Sequence, residues 1–444
     1  MNTFKNKFVF TKLLLITVIV MVVGCDLNMT NPNAATEEDV LSKQEGVRSF
    51  TIGVQGYYSE NAYPDVVLNT GVTTRELAIN TTFSSLVELE EGGTALPPEN
   101  SRTNSIWDGL LRTVSMTGQI IDNAPDVIID EAELSGIMAT AELYRAMALG
   151  YLIQSFEQAP IETSEEVAFH SRSEVLAEVL RLLKSARDRI TQEPPSADFE
   201  SNILLSGFDL ENTIYAMQAR YNLLAGNYQQ AIDASNDVDM SATSVFSFDG
   251  STTRNPIFDN IAFGDEGQEY APRDNFGTPV TEAGDARLDF YLSPDNAQST
   301  PNGLPIDEVE GFFTSASDPI PVYLPGEMNL IRAEAYVNLN RPGDAVTEID
   351  NIRTKQPSQD AFGVGANLPA YSGGTSDPEL FEEIYRQRSA EMYLTGMRFE
   401  DARRLGRPVP SSDPALSAER NRVYYPYPTS ERQNNPNTPE NPEI

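Results

Sequence analysis

Apolar residues recur at helical spacing along most of this 444-residue chain. The clearest stretch is 139–154, where small or apolar residues three and four positions apart share one face: Leu143, Ala146, Met147, Gly150 and Tyr151. The stretch 101–123 has the same pattern around Trp107. Ser171 and Glu174 have the spacing of a capping box, which predicts that a helix over 175–190 begins there. The pattern therefore predicts a mainly α-helical protein.

Two later stretches, 214–238 and 330–353, resemble each other. Each is predicted to form a helix, a short turn and a second helix, with small residues such as Ala219 and Ala333 where the two helices touch. This arrangement resembles the tetratricopeptide repeat, although the second copy has extra residues in its turn. We therefore expect tetratricopeptide-like helical pairs that form a right-handed scaffold.

Two long polar stretches, about 239–304 and 356–377, interrupt the predicted helical pairs. Both contain glycine and proline and lack a helical pattern. Loops of this length inside a compact protein are usually either functional or disordered. We expect these insertions to belong to the same domain as the helices.

The start of the chain has the pattern of an export signal. Three lysines precede an apolar run from Leu13 to Val23, and Cys25 follows directly after Gly24. A run of eleven residues is too short for a membrane span, which needs about 20. The pattern resembles a bacterial lipobox, whose cysteine is acylated after cleavage, although a cysteine could also follow an ordinary signal by chance. We expect a lipoprotein signal peptide at 1–24, a lipidated tether at 25–33 and a domain at 34–444.

The composition limits the partners of the mature chain. Cys25 is the only cysteine, so the chain cannot form an internal disulfide. Removal of residues 1–24 takes away three of the 31 basic residues, which leaves 28 against 66 acidic ones and a net charge of about −38. A field this negative repels nucleic acids and anionic lipid headgroups. High solubility and a saline habitat are the simpler explanations for this acidity than an acid-lined site.

The sequence contains few groups suited to catalysis. His170 is the one histidine and precedes a predicted helix, which excludes a two-histidine metal site and favours a solvated side chain. No glycine-rich phosphate loop follows a predicted strand. Asp265, Glu266, Glu269 and Asp274 could supply oxygen ligands to calcium, but they do not have EF-hand spacing and a solvated acidic loop explains them better. We therefore expect a binding protein without a cofactor or a metal.

Several segments, in this order, resemble the SusD/RagB family of surface lipoproteins of Bacteroidetes-type bacteria. They are the start 27–39, the helices around Trp107 and Tyr144, the repeat 330–353, the segment 384–406 with Arg388, Glu391, Gly396, Arg398, Asp401 and Arg404, and the tail 426–442. Gln387 departs from the glutamate that is frequent in the family. We interpret these residues as scaffold: Arg388 and Glu391 are predicted to pair across one helical turn, Gly396 to adopt a left-handed conformation, and Trp107 to pack in the core.

The resemblance implies a SusD-like fold with helical pairs and a loop-rich part that contains a few short strands. It also implies a function, namely capture of an oligosaccharide or a peptide and its delivery to a SusC-like TonB-dependent transporter in the outer membrane. The protein would then be lipid-anchored and exposed at the cell surface. Two alternatives remain open: a helical-repeat adaptor of the cell envelope that binds no nutrient, and a surface hydrolase that uses two carboxylates.

Two stretches outside the clear helices, Tyr57–Phe83 and Phe263–Phe276, combine aromatic and polar residues. Aromatic faces beside hydrogen-bonding groups suit both sugars and extended peptides. We predict ligand contacts among the following residues: Tyr63, Arg75, Asn80, Phe83, Tyr270 and Phe276. At least one of the four aromatic residues should contact the ligand, with Arg75 or Asn80 forming a hydrogen bond beside it.

Overall fold

The structure is a computed structural model that describes residues 37–164, 166–261, 269–277, 281–294, 300–407 and 420–443. The signal peptide, the tether and Cys25 lie outside these ranges, so the predictions for them remain predictions. Most of the described chain is helical, with a few short strands, which confirms the predicted fold class. Within the described ranges, none of the helices combines the length and the apolar character that crossing a bilayer requires.

The helices and strands are numbered in chain order. The α-helices are α1 Glu37–Leu41, α2 Gln44–Tyr57, α3 Tyr63–Thr73, α4 Ser84–Glu91, α5 Ser101–Val127, α6 Glu131–Ser155, α7 Arg172–Gln192, α8 Ala197–Asn202, α9 Leu210–Leu224, α10 Tyr228–Asp237, α11 Pro256–Ile261, α12 Ala286–Tyr291, α13 Pro325–Asn338, α14 Pro342–Arg353, α15 Asp377–Glu391, α16 Arg398–Arg404 and α17 Thr429–Asn434. The strands are β1 Leu77–Ile79, β2 Gln158–Ala159, β3 His170–Ser171, β4 Val245–Phe246, β5 Tyr270–Pro272, β6 Leu292–Ser293, β7 Glu308–Val309 and β8 Ile320–Pro321.

Successive helices pack on each other to form the scaffold. The helix α6 packs between α5 and α7, α7 contacts α9, and the pairs α9–α10 and α13–α14 are joined through contacts of α10 with α13. The two predicted repeats are therefore confirmed as helical pairs. Ala219 and Ala333 are fully buried in them, as predicted. The right-handed sense of the scaffold remains a prediction.

The central helix α6 is buried on nearly every side, and most of its residues are apolar or small. It begins after Asp130, whose side chain accepts a hydrogen bond from the amide of Glu133 at 2.8 Å. A helix that is apolar all round has no face for solvent and must be enclosed by its neighbours. Gly150 is the position of closest approach, because a Cβ atom there would collide with the ring of Tyr221 on α9.

The predicted helix start at Ser171 is confirmed. The Ser171 amide donates to the Glu174 carboxylate at 2.8 Å, and the Glu174 amide donates back to the Ser171 hydroxyl at 3.4 Å. These reciprocal bonds satisfy two amides that a helix start leaves without partners.

The interruptions between the helical pairs contain short ordered elements. The stretch 239–304 includes β4, α11, β5, α12 and β6, while 356–377 includes one 3₁₀ turn, Pro357–Gln359. The described chain contains four antiparallel two-stranded ladders: β1–β5, β2–β3, β4–β8 and β6–β7. The β2–β3 and β6–β7 ladders are local, whereas β1–β5 and β4–β8 attach the stretch 239–304 to distant segments of the chain.

The predicted core role of Trp107 is confirmed. Its side chain is 1% exposed and its ring contacts Phe156 at a centroid distance of 4.8 Å and stacks on Phe169 at 5.8 Å. The indole Nε1 donates to Glu431 at 3.3 Å. The lone tryptophan therefore attaches the C-terminal tail to α5.

The predicted pair between Arg388 and Glu391 is wrong. Arg388 donates to Asp401 on α16 at 2.7 Å, whereas Glu391 accepts from Arg287 at 3.1 Å and from Lys355 at 2.5 Å. The two side chains turn to partners on other segments because both are buried, and a buried charge needs a close, well-placed partner. Their interpretation as scaffold is consistent with this burial.

Gly396 has the predicted left-handed conformation, with a φ of 76°. It does not cap the preceding helix directly, because α15 already ends at Glu391. A left-handed glycine at this position instead belongs to the turn that leads into α16.

Replacement of Gly150 by alanine tests the packing of α6 against α9. Gly150→Ala should lower the free energy of unfolding by about 1–3 kcal/mol, because the added methyl group forces Tyr221 to shift in a closely packed core. The matched control is Gly343→Ala in α14, where an added Cβ meets no atom within 4 Å. Chemical denaturation should show an unchanged or slightly higher stability for the control. If Gly150→Ala were as stable as the control and the wild type, this packing would be contradicted.

Candidate ligand-binding site

The structure brings the two predicted ligand-binding stretches together. Strand β1 of the first stretch pairs antiparallel with β5 of the second, with Ile79 opposite Tyr270. Beyond this pair, the Asn80 amide donates to the Glu269 carbonyl at 2.9 Å. Segments about 190 residues apart in sequence therefore form one surface at the end of the β1–β5 ladder.

The expectation that Tyr57–Phe83 lies outside helices is wrong for residues 57–73, whereas residues 74–83 do lie outside helices. Tyr57 ends α2, a π-helical turn covers Tyr58–Ala62, and α3 continues to Thr73. The chain is helical here because α3 is buried almost entirely, with Ala62 packed closely against Gly109 of α5. Tertiary packing of this kind overrides the modest helix propensity of valine and threonine.

Four of the six predicted contact residues are buried. Tyr63 is 3% exposed and stacks on Tyr58 at a centroid distance of 6.1 Å. Arg75, at 1% exposure, donates to the Glu90 carbonyl at 2.8 Å and has a left-handed φ of 70°. These side chains hold the scaffold and do not face solvent, so we do not retain them as direct ligand contacts.

Tyr270 and Phe276 belong to the core as well. The Tyr270 hydroxyl donates to Asn69 at 2.8 Å, and the ring is 1% exposed. Phe276 is fully buried, and its ring lies 4.7 Å from that of Tyr393. An aromatic ring enclosed in this way cannot cover a ligand that arrives from solvent. The prediction that at least one of the four aromatic residues contacts ligand now depends on Phe83.

Phe83 and Asn80 are exposed, as a ligand contact requires. Phe83 is 57% exposed at the N-terminus of α4. Few large apolar side chains are exposed in the described part of the chain, and Phe83 is the aromatic one among them. Asn80 follows β1 directly and is also exposed. An exposed aromatic ring three residues from an exposed amide offers an apolar face and hydrogen bonds together.

An ion pair lies beside these two residues. Arg102 donates to Glu269 at 2.6 Å, and each side chain is about one-quarter exposed. The start of α5, which contains Arg102, is adjacent to the start of α4 because Asn100 donates to the Ser85 carbonyl at 2.8 Å. We refer to Asn80, Phe83, Arg102 and Glu269 as the β1–β5 patch.

Sequence reasoning overlooked Arg102 and considered Glu269 only as a possible calcium ligand. The ion pair that joins them forms across 167 residues, so no local spacing could indicate it. Asp265 and Glu266 lie outside the described residues, and Asp274 accepts from the adjacent Arg273 at 3.5 Å. No group of three or more potential metal-ligating side chains occurs in the described ranges.

Asp65 is a partly buried acid near the patch. Its burial raises the pKa of the carboxyl to about 6, while the Ser105 hydroxyl and the positive charge of Arg102 act in the opposite direction. The native state therefore binds a proton more tightly than the unfolded chain does. As a result, stability falls as the pH rises from about 4 through 6.

Replacement of Asp65 by asparagine tests this pH dependence. Asp65→Asn should raise the free energy of unfolding at pH 8 by up to about 3 kcal/mol, because no buried carboxylate has to ionise, and the gain should vanish near pH 4. The control Asp126→Asn changes an exposed residue near the other end of α5 and should alter stability by less than about 0.5 kcal/mol at either pH. A gain that is independent of pH would contradict the raised pKa.

The fold of this chain is similar to that of several solved structures. A SusD-like carbohydrate-binding protein from Bacteroides vulgatus superimposes with a TM-score of 0.69 at 16% identity, over 89% of this chain and 97% of that one. A SusD superfamily protein from the same species gives 0.62 at 17% identity, over 90% and 97%. NanU of B. fragilis gives 0.65 at 14% identity, over 93% and 99%.

Comparisons by sequence give no further relatives. No protein-family model matches the chain, and no curated protein matches it significantly. The structural similarity extends over about nine-tenths of the chain and nearly the whole of each neighbour. This agreement confirms, at the level of the fold, the resemblance that the order of the sequence motifs indicated: the chain has the SusD-like fold.

Proposed function

We propose that this protein is a cell-surface nutrient-binding lipoprotein. In this proposal the β1–β5 patch captures an oligosaccharide or a peptide, and the protein delivers it to a SusC-like TonB-dependent transporter of the outer membrane. The lipid on Cys25 anchors the chain beside that transporter. The observation that carries the proposal is the exposed ring of Phe83 next to hydrogen-bonding groups on a SusD-like scaffold.

The chemistry of the patch supports binding of a polar ligand with apolar faces. The Phe83 ring can cover the CH groups of a sugar or of an extended peptide, while the Asn80 amide supplies both donors and acceptors. The charges of Arg102 and Glu269 are paired with each other, so the ligand is not required to carry a charge. A neutral oligosaccharide or an uncharged stretch of peptide fits this arrangement.

We propose a binder and not an enzyme. Glu269 is held by Arg102 in an ion pair, and a pair of carboxylates arranged for glycoside hydrolysis is not part of the patch. The one histidine, His170, lies in β3 opposite Ala159, away from the β1–β5 ladder in the strand pairing. The proposal therefore assigns no catalytic residue.

Replacement of Phe83 by alanine tests the ligand site. Calorimetry with a panel of neutral oligosaccharides and peptides should identify a ligand whose affinity falls about five- to thirty-fold in Phe83→Ala, which corresponds to about 1–2 kcal/mol. Asn80→Ala should weaken the same ligand. The control Ile129→Ala removes another exposed apolar side chain, 85% exposed between α5 and α6, and should leave affinity unchanged. Unchanged affinity in both patch variants would refute this site.

The anchor and the partner are tested together in cells. The wild-type protein should incorporate labelled palmitate, fractionate with the outer membrane and co-purify with a TonB-dependent transporter. Cys25→Ser should lose the label and the membrane attachment, because each buried acyl methylene contributes about 0.8 kcal/mol. The control Asn28→Ser should behave as wild type. An unlabelled wild-type protein would refute the anchor, and co-purification with other envelope proteins but no transporter would favour the adaptor.

A further inference from the structure

A cleft lies between α5 and α7, and α6 forms its floor. Its volume is about 630 Å³, within the range of small-molecule sites. Gln119 and Asp122 line it from α5, Arg145 from α6, and Glu162 from the loop that follows β2. Gln119 is 17 residues beyond Arg102 on α5, or about 25 Å along the helix axis. The cleft is therefore separate from the β1–β5 patch.

Arg145 at the floor of the cleft forms no ion pair within 4 Å in the described part of the chain, although the charges of Glu178, Glu162 and Asp122 act on it from a greater distance. Its Nη1 donates to the Val114 carbonyl at 2.8 Å and its Nη2 to the Ile161 carbonyl at 2.7 Å, both neutral acceptors. A guanidinium has five N–H groups, so three remain for another partner. A largely buried cation is costly without an opposite charge. Gly118 keeps the space beside Nη1 open, because a Cβ atom there would lie only 2.9 Å away.

The other two arginines of the cleft are already paired. Arg181 forms two bonds of 2.7 Å with Glu178, and Arg189 contacts Glu142 at 3.1 Å. Their charges are neutralised within the protein. Arg145 is consequently the arginine of this cleft that can accept an external anion.

Three acceptors around the cleft form no side-chain hydrogen bond or ion pair among the described residues, although Asp122 and Glu162 act on Arg145 through their charge. The Oε1 atom of Gln119 is buried without a hydrogen bond. Asp122 and Glu162 are exposed at the rim, and neither forms an ion pair in the described ranges. A buried acceptor without a partner is unfavourable by about 1–3 kcal/mol, so a donor that reaches Gln119 would be stabilised. The cleft thus has the N–H donors of Arg145 at its floor and three acceptors nearby. Two of these acceptors, Asp122 and Glu162, carry a negative charge.

We propose that this cleft binds a small zwitterion of the amino acid or short-peptide class, with the ligand carboxylate on Arg145 and its ammonium group among Gln119, Asp122 and Glu162. The long-range charge of the protein favours this ligand over an anion, because a net charge of about −38 repels anions but exerts no net force on a neutral zwitterion. A neutral sugar would leave Arg145 without a carboxylate in direct contact. The site is independent of the proposed function of the β1–β5 patch.

Calorimetry of the full mature protein with triglycine tests the proposal. Triglycine should bind at millimolar concentrations with one molecule per chain. N-acetyl-triglycine, which lacks the ammonium group, and triglycine amide, which lacks the carboxylate, should each bind at least ten-fold more weakly. Each capped peptide tests one half of the proposed recognition: N-acetyl-triglycine tests the contact of the ammonium group, and triglycine amide tests the contact of the carboxylate. Equal affinity of all three peptides, or no binding of triglycine, would overturn the proposal.

Substitutions of cleft residues test where triglycine binds. Arg145→Gln should weaken triglycine at least ten-fold, and Asp122→Asn several-fold. Asp122 is exposed, so its variant tests the site even where Arg145→Gln lowers stability by releasing Val114 and Ile161. The control Arg181→Gln removes a cleft arginine that is already paired and should change affinity less than two-fold. Loss of binding in Phe83→Ala with unchanged binding in Asp122→Asn would place the peptide at the β1–β5 patch and refute the second site.

Discussion

The buried ion pair between Arg220 and Glu327 is the interaction on which the helical scaffold depends. Arg220 of α9 contacts the Glu327 carboxylate through Nε and Nη2 at 2.6 and 2.7 Å, and both side chains are almost fully buried. The Tyr151 hydroxyl of α6 lies 3.5 Å from the same guanidinium, so three helices of different segments meet at this charge. Loss of one partner would leave an uncompensated buried charge, at a cost of about 3–5 kcal/mol. The pair therefore fixes how α13 sits against α9.

The same region supports the β1–β5 patch through the turn between α15 and α16. The Tyr151 hydroxyl donates to the Thr395 carbonyl at 3.0 Å, and the Leu394 amide donates to the Glu76 carboxylate at 3.2 Å, directly before β1. Burial raises the pKa of Glu76 to about 7, against the opposing charge of Arg398. Arg398 also donates to the Phe276 carbonyl at 2.6 Å, just after β5. One turn of the scaffold thus holds both strands, and the patch is presented on a rigid base.

Arginine has two different roles on the two surfaces. In the β1–β5 patch, the charge of Arg102 is paired with that of Glu269 beside the exposed residue Phe83. In the cleft between α5 and α7, the guanidinium of Arg145 donates to neutral carbonyls, and carboxylates act on it only from a greater distance. Guanidinium groups suit both roles because their fixed, planar donors can serve carbonyls and a carboxylate at once.

The sequence by itself determined the helical segments, the capped start of α7, the two helical pairs and the buried position of Trp107. These follow from periodicity and local hydrogen bonding, which act over a few residues. Only the tertiary structure decided the partners of Arg388 and Glu391, the helical state of Tyr63–Thr73 and the burial of Arg75, Tyr270 and Phe276. Composition marks an aromatic residue as a possible ligand contact, but whether it faces a ligand or the core depends on the elements packed over it. Those elements come from distant positions, as in the pairing of Ile79 with Tyr270 about 190 residues away, and the local sequence does not indicate them.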